Sequence, residues 1–211
     1  MCPQGITALL NSREVINSMQ FVRDLLHTHQ VMTMDMLDPT YDGSALWNAG
    51  RGAIRPMGGS GTMDIPPALL PNIRPAIPTM GVRRTSYSGA GYFGVLHGSR
   101  HVEESVKWLE FLSRDSSQLQ LAKMSMQFSP SRGAIADDYF AGDEWTRIVA
   151  ECLQYAKTSQ QPSAAWSQIA GRATGSPIYD FWADVLLNRE PIPALAERYN
   201  AQAQTMMDRA R

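Results

Sequence analysis

The sequence has almost no excess of charge of either sign. Its 211 residues include 19 Lys and Arg against 20 Asp and Glu, for a formal net charge of −1. A protein that binds nucleic acid needs a basic surface to neutralise phosphates, so this balance argues against nucleic acid as a partner. Hydrophobic residues make up 44% and charged residues 18% of the chain, proportions that predict an ordinary globular protein.

Cysteines and long hydrophobic runs are also scarce. Cys2 and Cys152 are too few and too far apart for a disulfide framework or a metal site, and we expect no metal and no cofactor. The longest apolar stretches, such as residues 183–187, are far shorter than the ~18 residues of a membrane span and are interrupted by charge. Residues 1–20 lack the basic and apolar regions of a signal peptide, so the chain as translated is expected to be cytoplasmic.

Most of the sequence has helical periodicity. In the first helix, Asn11 and Glu14 have the spacing of a capping box, and the apolar stripe that follows ends near His29. Further helices are predicted at residues 42–51, 101–113, 116–126 and 143–157, around Trp166, from Ser176 or Pro177, and after Pro193.

Three short apolar segments predict strands. Residues 53–57 follow the second helix, and residues 73–77 form a candidate edge strand inside a proline-rich passage. Residues 92–96 form an apolar run bounded by glycines, which predicts a buried strand.

The sequence offers little for catalysis. The adjacent acidic pairs are better explained as helix-end or loop residues, and Cys152 lies on an apolar helix stripe, where a buried, inert thiol is expected. A small serine hydrolase that uses Ser60 or Ser88 remains an alternative. The histidines available to it are His97 and His101, but no motif joins them to either serine.

The sequence supports ligand binding better than it supports catalysis. Saccharides are held by aromatic faces and by planar or charged hydrogen-bonding groups, and small residues let a ligand approach the backbone. Three loops combine these residue types, namely residues 58–62, 86–92 and 161–176.

The order of these segments resembles the carboxy-terminal half of the family 1 extracellular solute-binding proteins of ABC importers. The segment AGRGAI at residues 49–54 is similar to the family's "aGkaAM" pattern. Gly98-Ser99 followed by VEESVKWLEFL is similar to "GS…eaAwkFlkfL", and residues 181–207 look like the family's final helix pair. The resemblance covers residues 11–208.

This resemblance implies an α/β fold of the type II periplasmic-binding-protein kind, of which this chain would be the helix-rich carboxy-terminal portion. Such a two-lobed protein closes around its solute by hinge motion and delivers it to a membrane permease. Residues 1–77 and 128–211 would then belong to the carboxy-terminal lobe, and residues 78–127 would complete the amino-terminal lobe.

The resemblance also implies ligand-binding residues. The loop Gly58, Gly59 and Ser60 matches the family's cleft-facing turn, and Gly89 matches a glycine turn before the next strand. Phe128 precedes a proline turn, and Trp166 and Arg172 fall in an irregular segment that faces the solute in the family, although GRATGSP departs from the usual pattern there.

The function predicted from the sequence is therefore solute binding for an ABC importer, without catalysis. The solute would be a sugar, polyol or related carbohydrate, the partners would be the permease subunits, and the location in the full-length family would be the periplasm. Because a first lobe and an export signal are expected but absent before Asn11, we expect a truncated protein that binds sugar weakly or not at all and self-associates through its exposed interlobe surface. A helical interaction protein without transport function is the remaining alternative.

Overall fold

The computed structural model describes residues 7–37, 41–58, 65–89, 91–125, 127–142, 144–157, 163–171 and 174–210. Helix accounts for 54% of the described residues, so the fold is helix-rich, as predicted. The α-helices are α1 (Arg13–His27), α2 (Gly43–Asn48), α3 (Val102–Leu112), α4 (Asp115–Ser125), α5 (Arg132–Ile135), α6 (Tyr139–Gly142), α7 (Glu144–Leu153), α8 (Trp166–Ile169), α9 (Pro177–Leu186) and α10 (Ile192–Arg209). Strands β1 (Ser86–Tyr87) and β2 (Ala156–Lys157) pair in parallel. None of the described helices is long and apolar enough to cross a bilayer.

The chain divides into two compact units. Unit 1 comprises Met1–Tyr41 and Gln160–Arg211, and unit 2 comprises Asp42–Ser159. The lobe boundaries expected from the sequence, at residues 77/78 and 127/128, concern a larger two-lobed protein, and they stay a prediction.

Unit 1 is built around α9 and α10, against which α1 and α8 pack. Its largest buried cluster is formed by Phe181, Val185, Ile192, Leu195, Ala196 and Tyr199. A second cluster joins Ala8, Ala165, Ile169, Ala203 and Met207. Apolar residues three and four positions apart on α10 lie on one face, which explains why a single helix contributes to both clusters.

The first helix begins one residue later than predicted. Ser12, not Asn11, caps α1, and its side chain accepts a hydrogen bond from the Val15 amide. The amide of Asn11 instead donates to both carboxylate oxygens of Glu197 at 3.1 Å. Asn11 therefore links the start of α1 to α10 rather than capping α1.

Proline and serine set the start of α9 as the sequence predicted. Ser176 occupies the cap position and Pro177 the first turn, where its missing N–H costs nothing. The helix ends at Leu186, and the next residues turn through Asn188, whose φ of 52° lies in the left-handed region.

Unit 2 contains the only strand pair among the described residues. Ser86 is paired with Ala156 and Tyr87 with Lys157, and the amides of Ser86 and Ser88 donate to the carbonyls of Tyr155 and Lys157. Helix α7 was predicted to continue to residue 157, but it ends at Leu153 because the chain leaves the helix to form β2. The predicted cap residue Asp143 lies outside the described residues.

The three strands predicted from apolar runs are wrong. Residues 53–57, 73–77 and 92–96 have no regular secondary structure. The run at 92–96 is not buried, since the side chains of Tyr92, Phe93 and Leu96 are 82%, 64% and 83% exposed. A strand needs a neighbouring strand to satisfy its backbone groups, and the described part of the chain supplies none for these runs.

Candidate functional site

The first predicted ligand loop is only partly described. Gly58 is exposed, and a Cβ at this position would meet no atom within 4 Å. A ligand could therefore approach its backbone, as the sequence predicted. Gly59 and Ser60, also predicted to bind ligand, lie outside the described residues.

Gly89 lies two residues beyond the end of β1 and is exposed. A Cβ there would come within 2.7 Å of the hydroxyl oxygen of Tyr87. The Tyr87 ring is 68% exposed, so its phenol lies over this glycine at the surface of unit 2.

The predicted aromatic residues Phe128 and Trp166 have different neighbours. Phe128 is half-buried, and its ring lies 5.0 Å from that of Phe140, which is itself buried. Trp166 is the first residue of α8 in unit 1, between the buried Ala165 and Ile169. Arg172 lies outside the described residues. Gly58, Gly89 and Phe128 thus belong to unit 2 and Trp166 to unit 1.

Unit 2 has an open depression of about 420 Å³, which we call the aromatic groove. It is lined by Phe93, Gly94, Val95, Glu104, Ser105, Trp108 and Leu109. The segment 93–95 forms one side, and α3 forms the other with residues between positions 104 and 109.

Helix geometry places the polar and aromatic groups of the groove together. Glu104 and Trp108 are four residues apart on α3, so their side chains lie on the same helix face. Trp108 is 58% exposed and its ring stacks against that of Phe111 at 5.4 Å. Glu104 lies in the first helical turn, where its negative charge is favoured by the helix dipole. The groove therefore combines two exposed aromatic faces with one carboxylate.

Sequence reasoning missed this groove. It placed Phe93 in a buried strand, and it gave Trp108 no role. The available signal was the spacing of four residues between Glu104 and Trp108 on a predicted helix, which places the carboxylate and the indole on one helix face.

The described residues contain no group of three or more His, Cys, Asp or Glu side chains arranged to hold a metal ion. The pKa of the Cys152 thiol is raised, first by burial and then by the charge of Glu151, although Arg84 opposes the shift. A raised pKa keeps the thiol protonated at neutral pH, but Cys152 is half-buried and not fully buried as the sequence predicted.

Unit 1 contains a buried carboxylate that the sequence did not reveal. Asp184 is 8% exposed and accepts hydrogen bonds from Tyr199 Oη at 2.6 Å, Arg198 Nη2 at 2.9 Å and Arg189 Nη1 at 3.0 Å. Burial, followed by the bond to Asp184, raises the pKa of Tyr199. Hydrogen bonds to Glu190 and Tyr199 raise the pKa of Arg198. Every group in this cluster has a partner, so its role is to hold α9 and α10 together.

Comparison with known proteins identifies the fold. No protein-family model matches the chain, and no curated protein matches its sequence. Among solved structures, the chain is similar to the sugar-binding protein MalE from the phytopathogen Xanthomonas citri, with a TM-score of 0.73 and 14% sequence identity. The match covers 98% of this chain and 56% of that chain.

At this level of identity the similarity shows the fold alone. The solute-binding-protein fold expected from the sequence is confirmed at that level, and the chain spans about half of the length of the structure it matches. This chain therefore has the helix-rich fold of part of a sugar-binding protein.

Proposed function

We propose that this chain binds a carbohydrate and acts as the solute-binding component of an ABC importer. The observation that carries the proposal is the similarity of 98% of the chain to a sugar-binding protein, at a TM-score of 0.73. The proposed role is binding and delivery to a permease, with no catalytic step, and the proposed location is the periplasm.

The aromatic groove supports the carbohydrate part of the proposal. Sugar rings present C–H surfaces that pack against aromatic faces, and their hydroxyl groups donate to carboxylates. Trp108 and Phe93 supply the aromatic faces, and Glu104 supplies the carboxylate. A depression of about 420 Å³ is within the size range of small-ligand sites.

The residues predicted from the sequence form a second, competing set of ligand contacts. These are Gly58, Gly59, Ser60, Gly89, Phe128, Trp166 and Arg172. The open backbone at Gly58 supports the inclusion of its loop, whereas Gly89 is exposed but lies under the phenol of Tyr87. Phe128 has less support, because its ring packs against Phe140.

One titration tests the function and separates the two sets of contacts. The full chain, labelled with ¹⁵N, has five tryptophan indole signals that can be followed while mono- and disaccharides are added. We expect saturable shifts with millimolar affinity, centred on the indole of Trp108 and abolished by Trp108→Ala. The matched variant Trp166→Ala should leave the affinity unchanged if the groove is the site.

Two results would change the proposal. Shifts centred on Trp166 and lost in Trp166→Ala would favour the loops predicted from the sequence over the groove. The absence of saturable shifts with every saccharide would contradict carbohydrate binding by this chain.

We also propose that unit 2 self-associates through an exposed apolar surface. Between residues 80 and 124, exposed side chains include Met80, Val82, Tyr92, Phe93, Leu96, Val102, Val106, Trp108, Phe111, Leu121 and Met124. Such exposed apolar surface is unusual for a monomer and favours association. Sedimentation velocity across a hundredfold range of concentration should show a rising weight-average mass, and a constant monomer mass would contradict this proposal.

A further inference from the structure

Two buried N–H donors near helix α2 have no acceptor. The indole nitrogen Nε1 of Trp47 and the guanidinium nitrogen Nη1 of Arg55 are both buried, and neither has a hydrogen-bond partner among the residues that the structure describes. Nearly all buried polar groups in proteins are paired, so two unpaired donors on neighbouring side chains call for an explanation. We refer to these two side chains as the donor pair.

The chain brings the two side chains together by a tight turn after α2. Gly50 adopts a φ of +75°, and the amide of Arg51 donates to the carbonyl of Leu46. A Cβ on Gly52 would lie 3.1 Å from Trp47 Cδ1, so the returning chain passes directly beside the indole. Glycine at these positions allows both the turn and the close approach.

Arg55 is held in place from its other side. Its Nη2 donates to the hydroxyl oxygen of Ser44 at 2.7 Å, and its guanidinium carbon lies 5.8 Å from the centre of the Trp47 ring. The carboxylate that caps α2, Asp42, uses Oδ1 to accept from the amides of Ser44 and Ala45. Arg55 forms no ion pair with any described residue.

Within the described part of the chain, the Arg55 guanidinium therefore has no counter-charge, and two N–H donors have no acceptor. A buried charge that lacks a partner is costly, and a buried donor that lacks an acceptor adds to that cost. A small oxyanion offers both negative charge and several acceptor oxygens, and arginine is well suited to bind one. Both side chains are half-buried and residues 49–54 around them are exposed, so the pair lies close to the surface of unit 2.

We infer that the donor pair of Trp47 and Arg55 is an oxyanion site that binds phosphate or a similar anion. The site is distinct from the aromatic groove, and it does not depend on the proposed carbohydrate function. The anion accepts hydrogen bonds from Trp47 Nε1 and Arg55 Nη1 and neutralises the guanidinium.

The test follows the indole signal of Trp47 in the full ¹⁵N-labelled chain. Inorganic phosphate is added at pH 7, and sodium chloride at matched ionic strength serves as the control for non-specific salt effects. Trp47→Phe identifies the signal. We expect phosphate, but not chloride, to shift this one signal saturably while the other four indole signals stay in place.

Three variants test the contacts. Arg55→Gln removes the charge and should weaken phosphate binding about tenfold or more, because a hydrogen bond to a charged group is lost. Arg51→Gln removes an exposed charge from the same turn and should change the affinity less than twofold. Trp47→Phe keeps the ring but removes the donor, and it should weaken binding severalfold when followed by calorimetry.

The inference is overturned by either of two results. The first is a Trp47 shift that grows linearly with phosphate or is equalled by chloride. The second is unchanged phosphate affinity in Arg55→Gln. If Arg55→Gln does not fold, as judged from its circular dichroism, the calorimetric comparison of Trp47→Phe with the original chain decides, and equal affinities overturn the inference.

Discussion

The two units of the chain bury their apolar residues to very different degrees. Unit 1 contains a continuous set of buried side chains on α9 and α10, many with 2% exposure or less. The described part of unit 2 buries few side chains, among them Ile65, Ala122, Ala134 and Phe140. Both units have amphipathic helices, so the difference lies in what each helix packs against.

Helices α1 and α3 differ in how far their apolar faces are buried. In α1, Val15, Ile16 and Met19 pack against the α9–α10 core. In α3, the apolar stripe includes Val102 and Val106, which are 50% and 42% exposed. A helical period in the sequence therefore predicts the helix, but burial of its apolar face also requires a second surface.

The largest expected effect comes from removing a core ring. Phe181 is 1% exposed and lies 5.8 Å from the ring of Tyr199, so Phe181→Ala should lower the free energy of unfolding by about 3–5 kcal/mol. Phe93→Ala in unit 2 is the matched control, and because its ring is 64% exposed it should cost less than about 0.5 kcal/mol. Urea denaturation measures both, and equal losses would contradict the contrast between the units.

The next largest loss of stability is expected when a buried carboxylate is replaced. Asp184→Asn in unit 1 weakens hydrogen bonds to Tyr199 and Arg198 in a buried setting and should cost about 1–3 kcal/mol. Asp137→Asn in unit 2 removes a 3.5 Å ion pair between Asp137, 38% exposed, and Lys123, 45% exposed. The asparagine keeps a side-chain oxygen that can accept from the Tyr139 amide, as Asp137 Oδ1 does at 3.0 Å. That change should cost less than about 1 kcal/mol. Thermal unfolding of the two variants would refute this ranking if Asp137→Asn proved the more destabilising.

A smaller effect is expected at Gly50. Its φ of +75° is unfavourable for any residue with a Cβ, so Gly50→Ala should cost about 1–2 kcal/mol. Gly175 in unit 1 has a φ of +96°, and Gly175→Ala should shift stability in the same direction. Gly58→Ala is the control, because a Cβ there meets no atom, and its midpoint of denaturation should be nearly unchanged.

The smallest expected effect is a dependence of stability on alkaline pH. The pKa of Tyr199 in the folded chain lies above its ordinary value of 10.0, so the unfolded chain loses this proton first as pH rises. The protonated Tyr199 hydroxyl therefore stabilises the folded chain fully at pH values below 10.0. This stabilisation is lost as the pH rises through the raised pKa of Tyr199 in the folded chain. Urea denaturation between about pH 8 and pH 11.5 should therefore show a fall in stability that is smaller in Tyr199→Phe.

Cys152→Ser serves as the control for the same experiment. The pKa of this thiol is also raised above its ordinary value of 9.0, so Cys152 also makes the folded chain less stable as the pH rises. Its effect begins at a lower pH than that of Tyr199. An alkaline profile of Tyr199→Phe identical to that of the original chain would show that Tyr199 does not contribute.

Local signals in the sequence were sufficient to predict the positions of most helices. The start of α9 at Pro177 and the short helix at Trp166 were predicted from proline, serine and glycine positions, and the structure confirms both. The end of α7 was wrong because β2 forms only through pairing with β1, a contact about 70 residues away in sequence.

The candidate sites depended more on tertiary structure. Glycine predicted an open backbone at Gly58, and the structure agrees. Nothing local predicted that Phe93 and Trp108 would line one groove, or that Arg55 would return to Ser44 and Trp47. Each of these arrangements joins residues from different elements, and such contacts have no fixed spacing.

The sequence by itself determined most of the helices, the start of α9 and the resemblance to solute-binding proteins, because these depend on spacing over a few residues and on the order of segments. Only the tertiary structure decided which apolar faces are buried. The same periodic pattern is buried in unit 1, where α9 and α10 supply a complementary surface, and remains exposed on α3 of unit 2. Burial is a property of two surfaces, and the pattern of one helix specifies only one of them.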